Sequence, residues 1–299
     1  MKKLHLIEQD NGLFISDNKQ HFRPWWVNGI RVERCIEYFQ SDYQFVEFWQ
    51  TSNLGILLGL NGCIQMCEHD AFAYHEMVVH VPMQVHPRPR HVLIVGDGDG
   101  GSVSEVCKYK SVETITWVDI DRQVVAACSS WYASQFRNHD MRVEYLDENG
   151  YTVQLPRKYD VIIWGIDDDV TQEGDLDTSA YNRVADLLAP GGIAIANVND
   201  PWPDKYLFDI SLEAANRVFG NVGFVWSRFP SWSQTGDMLI MSDEPAYSRY
   251  RVCNNPELPQ GLRWYDHDYH KAALKQPRAV FRNGVSSIPG LVPYNLIGD

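Results

Sequence analysis

The chain has 299 residues, 44% of them hydrophobic, enough to bury a full core as one large domain or two. Its 39 acidic and 26 basic residues leave a net charge of −13, which argues against nucleic-acid or membrane-surface partners and for cationic small molecules. Six scattered cysteines with no CxxC pair, no signal-like N-terminus and no apolar run near the ~18 residues of a membrane span read together as a reduced, cytoplasmic protein.

Residues 1–70 read as a small β-rich unit. Leu13–Ser16, Ile36–Phe39, Phe45–Trp49 and Leu54–Leu60 are short strand-like runs, with turn signals at Asn11-Gly12 and Asp17-Asn18. Asn61-Gly62, set between Leu60 and Cys63, predicts a tight hairpin. Such a sheet has edges that a second subunit could cover.

From Ala71 to Gln84 the pattern turns helical, with Phe72, His75/Glu76, Val79 and Met83 recurring on one side. His75-Glu76 followed by His80 has one residue too many for an HExxH zinc helix, so the second imidazole turns away and no metal site is expected.

The apolar run His91–Val95 predicts a buried strand, and Ser102–Tyr109 predicts a helix. Between them lies Gly96-Asp97-Gly98-Asp99-Gly100-Gly101. Strand, glycine turn and helix open a nucleotide-binding βαβ unit, where glycines permit positive φ and let a ligand lie against bare backbone. Asp119, ending the next strand, stands where a ribose-binding acid belongs. A pyrophosphate would meet Asp97 and Asp99 as like charges, whereas an adenosine carrying a sulfonium and an amine would be welcomed. Alternatively, the two aspartates only cap the turn and the helix.

Residues 71–299 read as a second unit, in which strand and helix signals alternate as far as Met241 and the tail beyond Ser242, rich in Pro, Asn and aromatics, reads as an ordered wrap. Thr114–Val118 is the second strand, Asp121 caps a helix through Trp131, and Met141–Leu146 and Asp160–Trp164 are further strands. A helix over Ser179–Leu188 stops at Pro190-Gly191-Gly192, and strand Ile193–Val198 and helix Tyr206–Phe219 follow. Val222–Phe229 and Met238–Met241 form a closing antiparallel pair, and a short helix is expected over His267–Leu274. The order predicts an α/β doubly wound, mostly parallel sheet with ligands at the carboxyl ends of its strands.

With these segments placed, the sequence resembles the polyamine aminopropyltransferases, the spermidine synthase family, from about Tyr43 to Val280. The resemblance is carried by Tyr43-Gln44, Leu60-Asn61-Gly62-Cys63-Ile64-Gln65, Asp70, Ala73-Tyr74-His75-Glu76-Met77 and His80-Val81-Pro82. It continues in Val95–Gly101, where Asp97 replaces one glycine of the family loop, in Val118–Asp121, and in Leu262–Tyr265 with His270–Leu274 and Pro277. It implies a methyltransferase-like Rossmann fold with a seven-stranded sheet behind the small N-terminal β-domain, assembled as homodimers or homotetramers. The implied reaction moves the aminopropyl group of decarboxylated S-adenosylmethionine to an amine, releasing methylthioadenosine, without a metal. Gln44 and Asp119 would contact the adenosine, Gly96, Gly98 and Gly165 its surroundings, Asp99 the aminopropyl ammonium, and Tyr74 and His75 the amine pocket.

The chain departs from the family at three places. The family's Asp-Ser-Ser-Asp-Pro after the fourth strand, whose first Asp is the base, is here Gly165-Ile166-Asp167-Asp168-Asp169. Gly165 therefore takes the base position, and Asp168 or Asp167 is the candidate replacement. The adenine-binding Asp-Gly is Asn149-Gly150, whose amide carbonyl could still accept from the adenine amino group. The active-site Tyr is Trp232, an aromatic wall suited to a larger or less polar acceptor, or to the face-on binding of a cation. The leading expectation is an aminopropyltransferase whose acceptor is not plain putrescine. Two alternatives stand beside it: a methyl- or alkyltransferase using intact S-adenosylmethionine, and a catalytically impaired paralogue that binds nucleoside or polyamine.

Overall fold

A computed structural model describes residues 3–17, 29–165, 178–201, 205–231, 235–243, 253–275, 281–282 and 285–286. The N-terminal residues form an antiparallel sheet of β1 (His5–Gln9), β2 (Gly12–Ser16), β3 (Ile30–Gln40), β4 (Phe45–Thr51), β5 (Ile56–Leu60) and β6 (Cys63–Cys67), in that spatial order. Asn61 and Gly62 both have positive φ, 49° and 78°, the pair of left-handed residues that a two-residue hairpin turn requires. Strand β1 has no counterpart among the expected strands: among the described residues it pairs only with β2, and three of its five side chains are charged or strongly polar, so it shows no apolar run.

Helix α1 (Ala71–Val85) crosses to the second sheet. The sequence pattern gave it a helical repeat through Phe72, His75/Glu76, Val79 and Met83, and in the structure all of its residues except Phe72 and Tyr74 are buried. Its polar side chains are absorbed by specific partners. Glu76 accepts hydrogen bonds from the backbone N–H groups of Arg263, Trp264 and Tyr265. His80 meets the Tyr109 hydroxyl at 2.9 Å and Glu105 at 3.0 Å. His75 turns elsewhere, to the glycine loop, so the three side chains of the HE…H run serve three different neighbours.

The second sheet has seven strands: β7 (His91–Val95), β8 (Thr114–Asp119), β9 (Val143–Asp147), β10 (Tyr159–Trp164), β11 (Leu188–Val198), β12 (Asn221–Arg228) and β13 (Thr235–Ser242). Their spatial order is β12-β13-β11-β10-β7-β8-β9, with β9, β8, β7, β10 and β11 mutually parallel and the closing hairpin antiparallel. Helices α2 (Gly101–Cys107), α3 (Arg122–Trp131), α4 (Ala133–Phe136), α5 (Ser179–Leu187), α6 (Lys205–Val218) and α7 (His267–Ala273) connect or cover these strands, and a two-stranded pair, β14 (Phe281–Arg282) and β15 (Val285–Ser286), follows. Strand β11 begins at Leu188, ahead of the Ile193 start read from the sequence. The chain keeps pairing across Pro190-Gly191-Gly192 through a register shift against β10, with Gly191 at φ 76°.

Alternate residues of the parallel strands enter two cores. Val92, Ile94, Val161 and Ile163 pack with α1 and α2, whereas Leu93, Val95, Ile162 and Trp164 pack with α5 and α6 residues such as Tyr181 and Phe208. The first sheet leans on α3 through Val46, Phe48 and Leu58 against Val124, Cys128 and Tyr132. Order reversal about β7 places a crevice between the ends of β7 and β10, where Gly96 and Gly165 emerge side by side.

Candidate active site

The turn after β7 is built to come close to its neighbours. Gly96, at φ 81°, donates from its N–H to the Val118 carbonyl at 2.8 Å and accepts from Trp117 Nε1 at 2.9 Å. A β-carbon at Gly96 would lie 3.3 Å from the backbone of Gly165, whose own N–H donates to the Val95 carbonyl at 2.8 Å. At Gly98 a β-carbon would lie 3.1 Å from Val124 and 3.2 Å from Asp119 Oδ2. These two glycines let the loop and the acid at the end of β8 share one small space.

Asp97 has a left-handed φ of 65°, a region where aspartate is tolerated because its short side chain bonds locally. Its Oδ2 accepts from Ser102 N at 3.0 Å and its Oδ1 from Ser102 Oγ at 2.7 Å. Asp99 Oδ1 accepts from Gly101 N at 2.9 Å. Both carboxylates therefore cap the turn, and both also face His75: Asp99 Oδ1 is 3.1 Å from Nε2, and Asp97 Oδ1 is 3.5 Å from Nδ1.

Burial alone would favour a neutral imidazole, but the charge and hydrogen bond of Asp99, with Asp97 and Glu105 behind it, push His75 up to about 9. Burial would likewise raise Asp99, yet the His75 imidazolium holds it below the usual carboxylate range. Burial and the neighbouring Asp99 charge push Asp97 the other way, up to about 8. The dominant ionised pair is thus His75 with Asp99.

A cavity of about 400 Å³ opens on this group. At one end lie Gln44, Asp119, Asn149, Gly150 and Gly165. Asp119 accepts from Asp121 N at 2.8 Å, and burial, with the charges of Asp121, Asp99 and Asp147, raises it to about 6. Gln44 is held by Asp121, which accepts from Gln44 Nε2 at 3.0 Å while capping α3 at Gln123 and Val124. Asn149 Oδ1 accepts from Tyr151 N at 2.9 Å, which leaves one lone pair for a ligand amino group.

At the other end Tyr74 stands edge-on to Phe229 and bonds Asn197, whose Nδ2 donates to the tyrosine oxygen at 2.9 Å. Asp70 and Asp237, 6% and 2% exposed, line the same end. Asp70 accepts from Ser231 N instead of capping α1. Asn197 and Asp237 were not singled out by sequence reasoning. Their signal was position alone, at the end of β11 and the start of β13 beside the crevice.

The sequence-predicted residues Gln44, Tyr74, His75, Gly96, Gly98, Asp99, Asp119, Asn149, Gly150 and Gly165 all line this one cavity. Asp167, Asp168 and Trp232 lie outside the described residues.

A family model described as spermine/spermidine synthase domain matches residues 71–249. A polyamine aminopropyltransferase of Thermotoga petrophila is 32% identical over 94% of this chain and 98% of its own, and one of Bacillus subtilis is 30% identical over 84% and 92%. Among solved structures, spermidine synthase from Thermotoga maritima superposes with a TM-score of 0.74 at 27% identity, covering 85% of this chain and 89% of that one. A spermidine synthase in complex with the transition-state analogue AdoDATO superposes at 0.72 with the same identity and coverage. With a family match over more than half of its length and an α/β fold shared with these structures, the chain belongs to the spermine/spermidine synthase family and is a transferase of the aminopropyltransferase type.

Proposed function

We propose that the enzyme takes its aminopropyl group from decarboxylated S-adenosylmethionine and gives it to an amine other than plain putrescine. The observation that supports this most is the placing of two acids along one cavity: Asp119 behind the glycine loop and Asp99 beside His75. In this reading Asp119 accepts from two ribose hydroxyls, Gln44 and Asn149-Gly150 border the adenosine, and the bare backbones of Gly96, Gly98 and Gly165 admit it. Asp99 holds the ammonium of the aminopropyl chain.

The attacking amine enters past Tyr74, Asn197 and Asp237. It must lose a proton and be aimed in line with the departing sulfur, which a carboxylate near the nitrogen accomplishes. Asp168, or Asp167, fills that role in place of the acid absent at Gly165, and Trp232 walls the acceptor end. Attack on a carbon beside a sulfonium calls for no metal. Intact S-adenosylmethionine would bring its carboxylate toward ionised Asp99, a like-charge contact that disfavours methyl transfer. The enzyme is proposed to be cytoplasmic, to act as a homodimer or homotetramer and to divide near residue 70.

Mass-spectrometric measurement of methylthioadenosine release with each of a panel of amines tests this reading. The expected result is release with a larger or less polar amine exceeding release with putrescine. No release with any amine, from protein that binds the nucleoside, would leave the impaired-paralogue alternative standing.

A further inference from the structure

Asp97 occupies a left-handed backbone position that glycine would fill without strain, and its carboxylate is turned inward until its side chain is 4% exposed. The side chain continues a chain of contacts, from His75 Nδ1 to Ser102 Oγ at 3.2 Å and from Ser102 Oγ to Asp97 Oδ1 at 2.7 Å. On the far side of the ring Nε2 meets Asp99. Two carboxylates therefore share a single buried imidazole. With all three groups ionised, the cluster would hold a net negative charge away from water, which is costly unless a cation compensates it.

We infer that Asp97 is a charge-setting residue for donor binding: with His75, Ser102 and Asp99 it holds one exchangeable proton in the free enzyme, and it gives that proton up when a cation settles at Asp99. The inference rests on the proposed seat of the aminopropyl ammonium at Asp99. Among the described residues, the other charged or titratable groups around the cluster include Glu105 of α2, itself paired with His80 and Lys108, Asp119 of β8, and the buried Cys128 thiol of α3 with the buried Tyr132 hydroxyl that follows it. Glu105 is already compensated, and the Asp119 charge opposes ionisation of Asp97. The cation is thus the missing counter-charge. The raised position of Asp97, about 8, places the exchange in the neutral range. The released proton passes to solvent, and no bond other than O–H is broken.

Calorimetric titration of decarboxylated S-adenosylmethionine and of uncharged methylthioadenosine tests the linkage, using the wild-type enzyme, Asp97→Gly and Asp97→Asn. Glycine suits the left-handed backbone, and asparagine retains an acceptor for Ser102 N, so both variants keep the turn. In the wild type the ratio of the two affinities should rise roughly tenfold from about pH 6.5 to about pH 8, with close to one proton released per donor bound near pH 7. Dividing by methylthioadenosine removes the effect of Asp119, which both ligands meet. In the variants the ratio should stay flat within about twofold. A flat ratio in the wild type, or an equal slope in the variants, overturns the inference.

A ligand-free measurement separates this from a failure of the donor reading. His75 followed by NMR should remain an imidazolium up to about 9 in the wild type and titrate lower in Asp97→Gly, which lacks the Asp97 charge beside the ring. An unchanged His75 titration overturns the inference even if the donor binds as proposed. A shifted titration with no binding of the donor would sink the donor reading and leave the shared proton in place.

Discussion

The imidazole of His75 lies so close to the backbone of Gly101 that a β-carbon there would sit 2.2 Å from Nε2. Gly101 opens α2, and its N–H donates to Asp99, so one small residue brings together the helix, the loop acid and the buried ring. The tightness arises where three ionisable groups are stacked over a helix start, and it makes the contact a sensitive point of the site.

Gly101→Ala should therefore destabilise the protein by about 1–3 kcal/mol, the range for overpacking, and weaken binding of a cationic nucleoside by shifting the Asp99 carboxylate that the Gly101 N–H holds in place. Thermal denaturation and calorimetry read the two effects. Unchanged melting and affinity would mean that the ring can move aside freely.

Removing the charge at Asp99 should act on the ligand more than on the fold. Asp99→Asn is expected to weaken binding of decarboxylated S-adenosylmethionine by ~1.5–3 kcal/mol, the range for a hydrogen bond to a charged group. Methylthioadenosine, which lacks the ammonium, should lose much less. Equal losses for both ligands would remove Asp99 from the cationic end of the site.

Asp119 sets a separate pH dependence. Its folded value of about 6 lies above the ordinary carboxylate value, so between roughly pH 4 and pH 6 the folded protein binds more protons than the unfolded chain. This group's contribution to stability consequently falls as pH rises through that window. With Asp119 in its proposed role as acceptor for the ribose hydroxyls, nucleoside binding should run the other way, because that role needs the ionised carboxylate. Methylthioadenosine affinity should drop roughly tenfold from about pH 7 to about pH 5 in the wild type and vary little in Asp119→Asn, measured by calorimetry.

Glu76 makes a prediction about the fold. Its carboxylate, 1% exposed, is the shared acceptor for three consecutive backbone N–H groups at residues 263–265, tying the C-terminal segment to α1. Glu76→Ala leaves these donors without their acceptor and should cost about 3 kcal/mol or more in urea denaturation. Glu76→Gln, which retains one carbonyl acceptor, should cost distinctly less. Equal costs would show that the charge, and not the acceptor geometry, holds the segment.

Much of this architecture was legible in local sequence. The run His91–Val95 with its glycines, the cap at Asp121 and the Asn61-Gly62 turn each carry their physics within a few residues, and all appear where expected. Strand β1 was not legible because an exposed edge needs no apolar pattern. Burial of α1 on every side was hidden because the partners of Glu76 and His80 lie about 187 and 25 residues away. The double duty of Asp97 was open for a related reason. Spacing shows that an acid sits in the loop, but only the left-handed backbone shows that it turns toward Ser102 and His75. Asn197 and Asp237 come together through the pairing of β11 with β13, a non-local register that no short window contains.

The exchange at residue 165 supplies the most direct test of how the proton leaves the acceptor. A β-carbon there would lie 3.2 Å from the Val95 carbonyl and 3.6 Å from Asp97 N, close but short of a prohibitive clash, so Gly165→Asp should fold with a modest loss of stability. If Asp168 replaces the absent acid, Asp168→Ala should lower turnover by ~10²–10⁴, the usual range for loss of a general base, and leave methylthioadenosine affinity nearly unchanged. Adding Gly165→Asp to Asp168→Ala should then recover part of that loss, because the new carboxylate re-enters the crevice from β10. Single-turnover rates of the wild type, Gly165→Asp, Asp168→Ala, their double variant and Asp167→Ala decide the matter. A silent Asp168→Ala beside a defective Asp167→Ala would move the role by one residue, and silence in both would place the proton acceptor elsewhere in the cavity.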